Sequence, residues 1–332
     1  MARILLPKKR VRVIASAAVG GYEEGRGPLG ECFDYNSADD RFGQETFELA
    51  EAEMARMALS FALGKAKIKR PDLLFSGDLQ NQCVASSQGP ASVGAPFLGL
   101  FGACSTMAEG LGLAALSLSG AEEASTAAVV TSSHNAAAER QFRTPLEYGA
   151  QRTPTAQWTA TAAGAAVLAS GEGEGVCLSA FLPGRVVDAG ITDAANMGAA
   201  MAPAAADTLL AYFKESGEDP SDLDLILTGD LGSEGSVILK TLLSEKLPNI
   251  GKSHQDGGCL LYDAEACDVH AGGSGCGCIA SLLAGVILPR MARGEYRRVL
   301  AIGTGALMNP ASLQQGGSIA GVGHLIRLEM NG

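Results

Sequence analysis

Two apolar runs of strand length, one in each half of the chain, share a pattern. Residues 72–79 read DLLFSGDL and residues 224–231 read DLILTGDL, and each run ends in small residues and an aspartate. A short continuous apolar run of this kind is typical of a buried parallel strand that enters a loop. Apolar residues at helical spacing precede both runs, over about 44–63 and 204–214. They predict an amphipathic helix before each strand.

The similarity continues beyond these strands. Residues 103–133 and 273–305 each read as a small-residue loop, a helix and a strand, and glycine-opened strands follow at 162–170 and 321–329. This matched order predicts a duplicated α/β protein with two βαβαβ-type halves, residues 1–175 and 176–332. Ligands collect beyond the carboxyl ends of parallel strands, so the Gly/Ser-rich loops there should surround one central cleft.

Composition and charge exclude several classes of protein. The 332 residues are 47% hydrophobic but only 5% aromatic, which suits a closely packed α/β core. The net charge of −11 argues against a nucleic-acid partner or an anionic membrane surface. Apolar runs such as 279–289 are too short to span a bilayer, and the N-terminus lacks the charge order of a signal peptide.

The cysteines predict a reducing compartment. The eight cysteines show no CxxC spacing, so we expect free thiols in a cytosol-like environment. The cluster of Cys267, His270, Cys276 and Cys278 lacks the usual ligand spacing of zinc, and we predict no metal site and no cofactor. Cys104 stands apart because it lies at the start of a small-residue helix. The residues alone allow a nucleophile, the remnant of one, or a packed thiol.

Four segments carry a resemblance to a known family. They read FSGDLQNQ, LGLFGACSTMAEGL, SSHNAAAERQFRTPLEYGAQRTPTAQWT and DVHAGGSGCG. Together with the duplication, they resemble the thiolase and β-ketoacyl-ACP synthase superfamily and, more narrowly, the stage V sporulation protein AD family of spore-forming bacteria. The resemblance implies a thiolase-like αβαβα layered fold. It also implies a protein that binds dipicolinic acid, alone or as its calcium chelate, for uptake into the developing spore.

The same resemblance implies partners and a location. A member of this family is expected to be a cytosolic-type protein associated peripherally with the inner forespore membrane, where other stage V sporulation membrane proteins are its partners. Thiolase-like proteins pair as homodimers through the strand after the nucleophile helix, here about 126–132, and its apolar residues would suit an exposed edge.

The catalytic set of the superfamily is incomplete in this chain. Condensing enzymes use a cysteine thiolate and two groups from the second half, His/His or His/Asn. Cys104 matches the nucleophile and His270 matches one partner, but Gly229 and Asp230 stand where the other histidine belongs. Loss of such a partner lowers the rate by about 10²–10³. We therefore predict a protein that is not an enzyme. An acyltransferase that uses Cys104 is the alternative, and a docking subunit with a vestigial cleft is a third interpretation.

Dipicolinate is a flat pyridine with two carboxylates, so its site requires helix N-termini and cationic or amide donors. The ligand-binding candidates are Cys104, His134, Asn135, Arg140, Arg143, Arg152 and His270. Asp78 and Asp230 end the duplicated strands, and we expect them to cap the helices that follow rather than to coordinate calcium.

Overall fold

The structure is a computed structural model, and it describes residues 3–142 and 152–331. The strands of this part of the chain, β1 to β13, are Val11–Gly20, Tyr35–Asn36, Leu73–Gly77, Phe97–Gly99, Thr126–Ser133, Trp158–Thr159, Ala162–Ser170, Gly175–Leu182, Leu225–Thr228, His254–Asp256, Gly273–Ser274, Arg298–Leu307 and Ala320–Asn331. Its α-helices, α1 to α12, are Tyr22–Arg26, Phe47–Ala66, Val84–Gln88, Thr106–Gly120, Asn135–Phe142, Met197–Ser216, Gly232–Leu243, Ile250–Ser253, Gly257–Leu261, Cys276–Leu282, Leu288–Ala292 and Pro310–Gln314.

The large sheet is a tandem of two matching halves. The first half has the order β4-β3-β5-β7-β1, and the second has the order β10-β9-β12-β13-β8. Equivalent strands of the two halves also run in the same relative directions. Strand β3 is parallel to β5, as β9 is to β12. Strands β7 and β13 are each antiparallel to both of their neighbours. A short antiparallel pairing of β1 with β8 joins the halves. The predicted duplication is confirmed, whereas the division at residue 175 stays a prediction.

Three hydrophobic cores give the layers. Helix α2 covers the outer face of the first half, and α6 covers the outer face of the second. Helices α4 and α10 lie between the halves in the largest core, where α4 contacts strands of both. The predicted αβαβα arrangement is therefore confirmed. Small residues allow this close packing: a Cβ on Gly164 of β7 would lie 2.1 Å from the carbonyl oxygen of Ala280 in α10.

The helix bounds follow local capping. The helix predicted over 44–63 begins after Thr46, whose hydroxyl accepts a hydrogen bond from the Leu49 amide at 3.2 Å. It ends at Lys67, which adopts a left-handed conformation with φ of 57°. An N-cap hydroxyl and a left-handed C-cap are the usual ends of an α-helix. Both ends lie about one turn later than hydrophobic periodicity alone suggested.

The predicted dimer strand is wrong. Strand β5, which contains residues 126–132, lies between β3 and β7 and is hydrogen-bonded along both edges. It has no free edge for a partner copy. In the first half the sheet ends instead at β4, where Phe97 and Leu98 are 44% and 42% exposed.

Candidate functional site

The Cys104 thiol is held on a tight turn between β4 and α4. Ala103 has a positive φ of 51°, and the hydroxyls of Ser105 and Thr106 donate to the carbonyls of Gly102 and Ala103 at 2.6 Å each. The turn rests directly on the second half, since a Cβ on Gly305 of β12 would lie 2.3 Å from the Gly102 oxygen. The predicted elbow before a helix is therefore present, and it brings Cys104 to the junction of the two halves.

The group opposite Cys104 is a buried carboxyl. Asp230 follows β9, and its Oδ1 accepts a hydrogen bond from the Thr304 hydroxyl at 2.8 Å. Its Oδ2 accepts from the Gly275 amide, also at 2.8 Å, and Cys104 is an electrostatic neighbour of this carboxyl. Gly275 precedes α10 with φ of 99°, and a Cβ there would lie 2.6 Å from Ser133 Oγ. Only glycine fits this backbone position comfortably.

The predicted capping role of Asp230 is wrong. The first amides of α7, those of Leu231 and Gly232, donate to the Asp256 carboxylate at 2.9 and 2.8 Å. That cap frees Asp230 to face the thiol. In the first half, Asp78 does cap the next helix, because its Oδ2 accepts from the Ser86 amide of α3 at 2.6 Å.

The electrostatics of this pair oppose a thiolate. Burial, and then the neighbouring Asp230 carboxyl and the Cys276 thiol, raise the pKa of Cys104 well above its ordinary value. Burial likewise raises the pKa of Asp230 to about 7, although its hydrogen-bond donors favour the charged form. A thiol with a pKa above 9 is less than about 1% ionised at neutral pH. The helix N-terminus near Cys104 does not overcome burial and the adjacent acid.

A pocket opens beside Cys104, and both halves contribute to it. Its empty space, with the open mouth included, is about 430 Å³. Most of the wall is apolar, and two hydroxyls and the thiol supply its polar side chains. The residues that line it are Leu79, Phe101, Ala103, Cys104, Ala138, Thr159, Met197, Ser274, Ala306 and Met308. Among the described residues, this lining contains no charged side chain.

Of the predicted ligand-binding side chains that the structure describes, only Cys104 lines the pocket. His134 is 1% exposed, and its Nε2 lies 2.7 Å from the Asp40 carbonyl oxygen while its Nδ1 accepts from the Ala136 amide at 3.2 Å. Because a carbonyl only accepts and an amide only donates, Nε2 carries the proton. His134 therefore fixes the start of α5. Asn135 begins that helix, and its amide donates to Thr161 Oγ1 at 3.1 Å.

Arg152 and His270 meet at an acidic residue that the sequence did not single out. Asp268 accepts from Arg152 at 3.2 Å and lies 3.0 Å from His270 Nε2. The Arg152 guanidinium also stacks over the Trp158 ring at 4.9 Å. His270 thus contacts a surface carboxylate.

Two predicted arginines are not placed by this structure. The side chain of Arg140, on α5, and the whole of Arg143 lie outside the described residues. Both follow Ala138, which lines the pocket. Their assignment as ligand-binding residues stays a prediction.

The described part of the chain has neither a metal-binding cluster nor a membrane-spanning helix. Within it, no group of three or more His, Cys, Asp or Glu side chains is arranged to hold a metal ion. The Cys276 and Cys278 thiols instead donate to the carbonyls of Ser132 and Gly229, at 2.9 and 3.8 Å. No helix in 3–142 or 152–331 has the length and apolar character needed to cross a bilayer.

Comparison with known proteins decides the family. Residues 2–329 match the family model of stage V sporulation protein AD (SpoVAD). The chain is also 41% identical over 322 residues to stage V sporulation protein AD of Bacillus subtilis (strain 168), covering 96% of this chain and 94% of that protein. The chain belongs to the stage V sporulation protein AD family. The predicted family is thereby confirmed.

Solved structures show where this family stands by fold. A 3-oxoacyl-[acyl-carrier-protein] synthase III from Aquifex aeolicus VF5 matches with a TM-score of 0.56 at 13% identity, over 96% of this chain and 99% of that one. A variant of OleA from Xanthomonas campestris matches with a TM-score of 0.61 at 14% identity, over 98% and 100%. The thiolase-like fold predicted for this sporulation protein is confirmed, and at these identities the likeness extends to the fold alone.

Proposed function

We propose that this sporulation protein binds dipicolinic acid for uptake into the developing spore, and that it uses the thiolase-type cleft without catalysing a condensation. The observation that carries the proposal is the buried Asp230 carboxyl beside Cys104. A condensing site needs a thiolate and a donor for the developing oxyanion. A carboxyl at this position opposes both charges, yet it leaves the neighbouring pocket open.

The pocket favours a flat ligand with little net charge. Phe101, Met308 and Leu79 offer apolar surface for a pyridine ring, and the described lining holds no cation for a free dianion. Burial of an unpaired charge is unfavourable. The one-to-one calcium chelate of dipicolinate is electrically neutral, so we propose that the ligand enters as this chelate, with calcium as cargo. Arg140 and Arg143 are the candidates for binding the free dianion.

Calorimetry with the whole protein tests the proposal. Dipicolinate should release heat and raise Tm, and added equimolar calcium should strengthen both effects. A ligand at 100 times its Kd stabilises the folded state by about 2.7 kcal/mol. The 3,5-dicarboxylate isomer of pyridine is the matched control, because it has the same charge and cannot chelate calcium through its ring nitrogen. No heat and no Tm shift at millimolar dipicolinate, with or without calcium, would sink the proposal.

The acyltransferase alternative has one supporting feature, the preserved turn that presents Cys104 to the pocket. Mass spectrometry after incubation with acyl-CoA discriminates between the two functions. A stoichiometric acyl group on Cys104 that an added nucleophile removes would establish the enzyme. We expect no such adduct beyond background labelling.

We further propose that the chain associates peripherally with the inner forespore membrane through other stage V sporulation membrane proteins. Family membership supports this location. Co-purification of the membrane proteins with the chain from sporulating cells tests it. If ligand and acyl-CoA assays are both blank while this association persists, the docking interpretation replaces the binding one.

A further inference from the structure

Two hydroxyl groups on the pocket wall have no role in the site described so far. Thr159 ends β6, which belongs to the first half, and Ser274 ends β11, which belongs to the second. The two strands form a separate parallel ribbon in which Thr159 and Ser274 are register partners. Both residues line the pocket beside Cys104.

The two hydroxyl oxygens remain accessible to solvent and have no bonding partner among the described residues. Thr159 is 4% exposed and Ser274 is 1% exposed, and no hydrogen bond joins either hydroxyl to any described residue. The ribbon does not need them, since its amides already donate to carbonyls, from Trp158 to Gly272 at 2.9 Å and from Ala160 to Ser274 at 2.8 Å. A hydroxyl that makes no bond within the chain is free to donate to whatever occupies the pocket. Their presence on a pocket wall points to a partner that enters from outside.

The adjoining helix indicates the charge of that partner. Helix α6 spans 20 residues and begins at Met197, which also lines the pocket, and its first turn carries no acidic residue. The N-terminus of a long helix favours negative charge. A carboxylate group therefore suits a pocket lined by Met197 and the two hydroxyls better than a cation would.

We infer that Thr159 and Ser274 form a carboxylate-binding subsite, in which each hydroxyl donates to one oxygen of a carboxylate on a flat aromatic acid. Residues on adjacent strands lie about 4.8 Å apart, so two hydroxyls reach the two oxygens of a single carboxylate. The ring then packs on the apolar walls. This inference rests on the proposed function and names the residues that bind the carboxylate of the ligand.

Isosteric substitutions test the subsite. T159V and S274A should each weaken dipicolinate binding by about 10-fold, the usual effect of one hydrogen bond to a charged acceptor. The double variant should weaken it by about 100-fold. The ligand-free variants should keep or raise the Tm of the parent, because each substitution removes a hydroxyl that the chain itself leaves unpaired.

Thr208 supplies the matched control. Its buried hydroxyl lies away from the pocket and donates to the Gly323 carbonyl at 2.8 Å. T208V should lower Tm by several degrees and leave the affinity unchanged, the opposite pattern to T159V and S274A.

The outcomes separate this inference from the proposed function. If the parent binds dipicolinate and both pocket variants bind within twofold of it, the subsite is overturned while the proposed function stands. A Tm that falls in T159V or S274A as it does in T208V would also overturn the subsite, because the hydroxyls would then be bonded within the chain. A parent that fails to bind overturns both.

Discussion

Replacement of Asp230 by asparagine removes the charge beside Cys104 with little change in shape. The carboxyl accepts from the Gly275 amide and from the Thr304 hydroxyl. In D230N the side-chain oxygen still accepts from Gly275, and the new amide donates to the Thr304 oxygen once that hydroxyl turns. We therefore expect the variant to fold, and its thiol to titrate at a lower pH.

The size of the shift follows from the charge removed. Two unit charges about 4 Å apart interact by about 4 kcal/mol at an effective dielectric constant near 20, or about 3 pKa units. Burial is the largest cause of the raised pKa of Cys104, and it remains in the variant. We therefore expect the pKa of Cys104 to fall by about 1–2 units. The thiolate fraction at pH 8 should rise about 10- to 100-fold.

The rate at which iodoacetamide alkylates Cys104 measures the thiolate fraction. Peptide mass spectrometry distinguishes Cys104 from the other cysteines among the eight in the chain. The pKa of Asp230 is about 7, so the parent carries its full charge only above that pH. The difference between D230N and the parent should be largest from pH 8 to 9 and should narrow below pH 7. The control is D224N, at an exposed aspartate that caps the start of β12 through the amides of Arg297 and Arg298. Equal alkylation rates in D230N and the parent at pH 8–9 would refute the proposed effect of the carboxyl.

Three further predictions concern stability and assembly. Burial raises the pKa of Glu24 from 4.5 to about 7, so the parent should lose more stability than E24Q as pH rises through this range, whereas the loss due to Asp230 is common to both. In urea unfolding, the free energy of unfolding of E24Q should exceed that of the parent by up to about 3 kcal/mol at pH 8 and should nearly equal it near pH 5. Parallel pH profiles of the two proteins would contradict this prediction. We expect a homodimer paired through β4, so L98K should sediment as a monomer. V237K, at another exposed apolar position, is the control and should sediment like the parent. A parent that sediments as a monomer refutes this interface. G305A places a methyl group against the Gly102 oxygen and should lower Tm through about 1–3 kcal/mol of overpacking, and an unchanged calorimetric transition would count against the close contact.

The order of elements could be predicted from the sequence because buried strands leave apolar runs of strand length. Strand β7 matches its predicted range of 162–170, and β3 lies within 72–79. Helix α6 was predicted from residue 204, but it begins at Met197. Its first two turns are rich in alanine and contain Pro203, so they lack the polar side of an amphipathic pattern and resemble a loop.

The site was less predictable because residue type does not fix the direction of a side chain. His134 has the chemistry of a ligand-binding residue, but its two ring nitrogens are engaged by backbone groups, and Ala138 one turn later faces the pocket. Thr159 and Ser274 carry no motif, and only the pairing of their strands brings them together. Asp230 was recognised as a departure from the catalytic pattern, whereas its contact with the thiol required the structure.

In the proposed function, the Asp230 carboxyl opposes a condensation and still allows a ligand to bind. A condensation develops negative charge on the thiol and on the acyl oxygen, and a buried carboxylate nearby raises the energy of both. A neutral chelate develops no such charge when it binds, so the same carboxylate opposes it far less. We therefore propose that a carboxyl at this position opposes condensation while it leaves the pocket usable for reversible binding. D230N separates the two effects, since it should raise thiol reactivity while it changes the affinity for the neutral calcium chelate by less than the affinity for free dipicolinate.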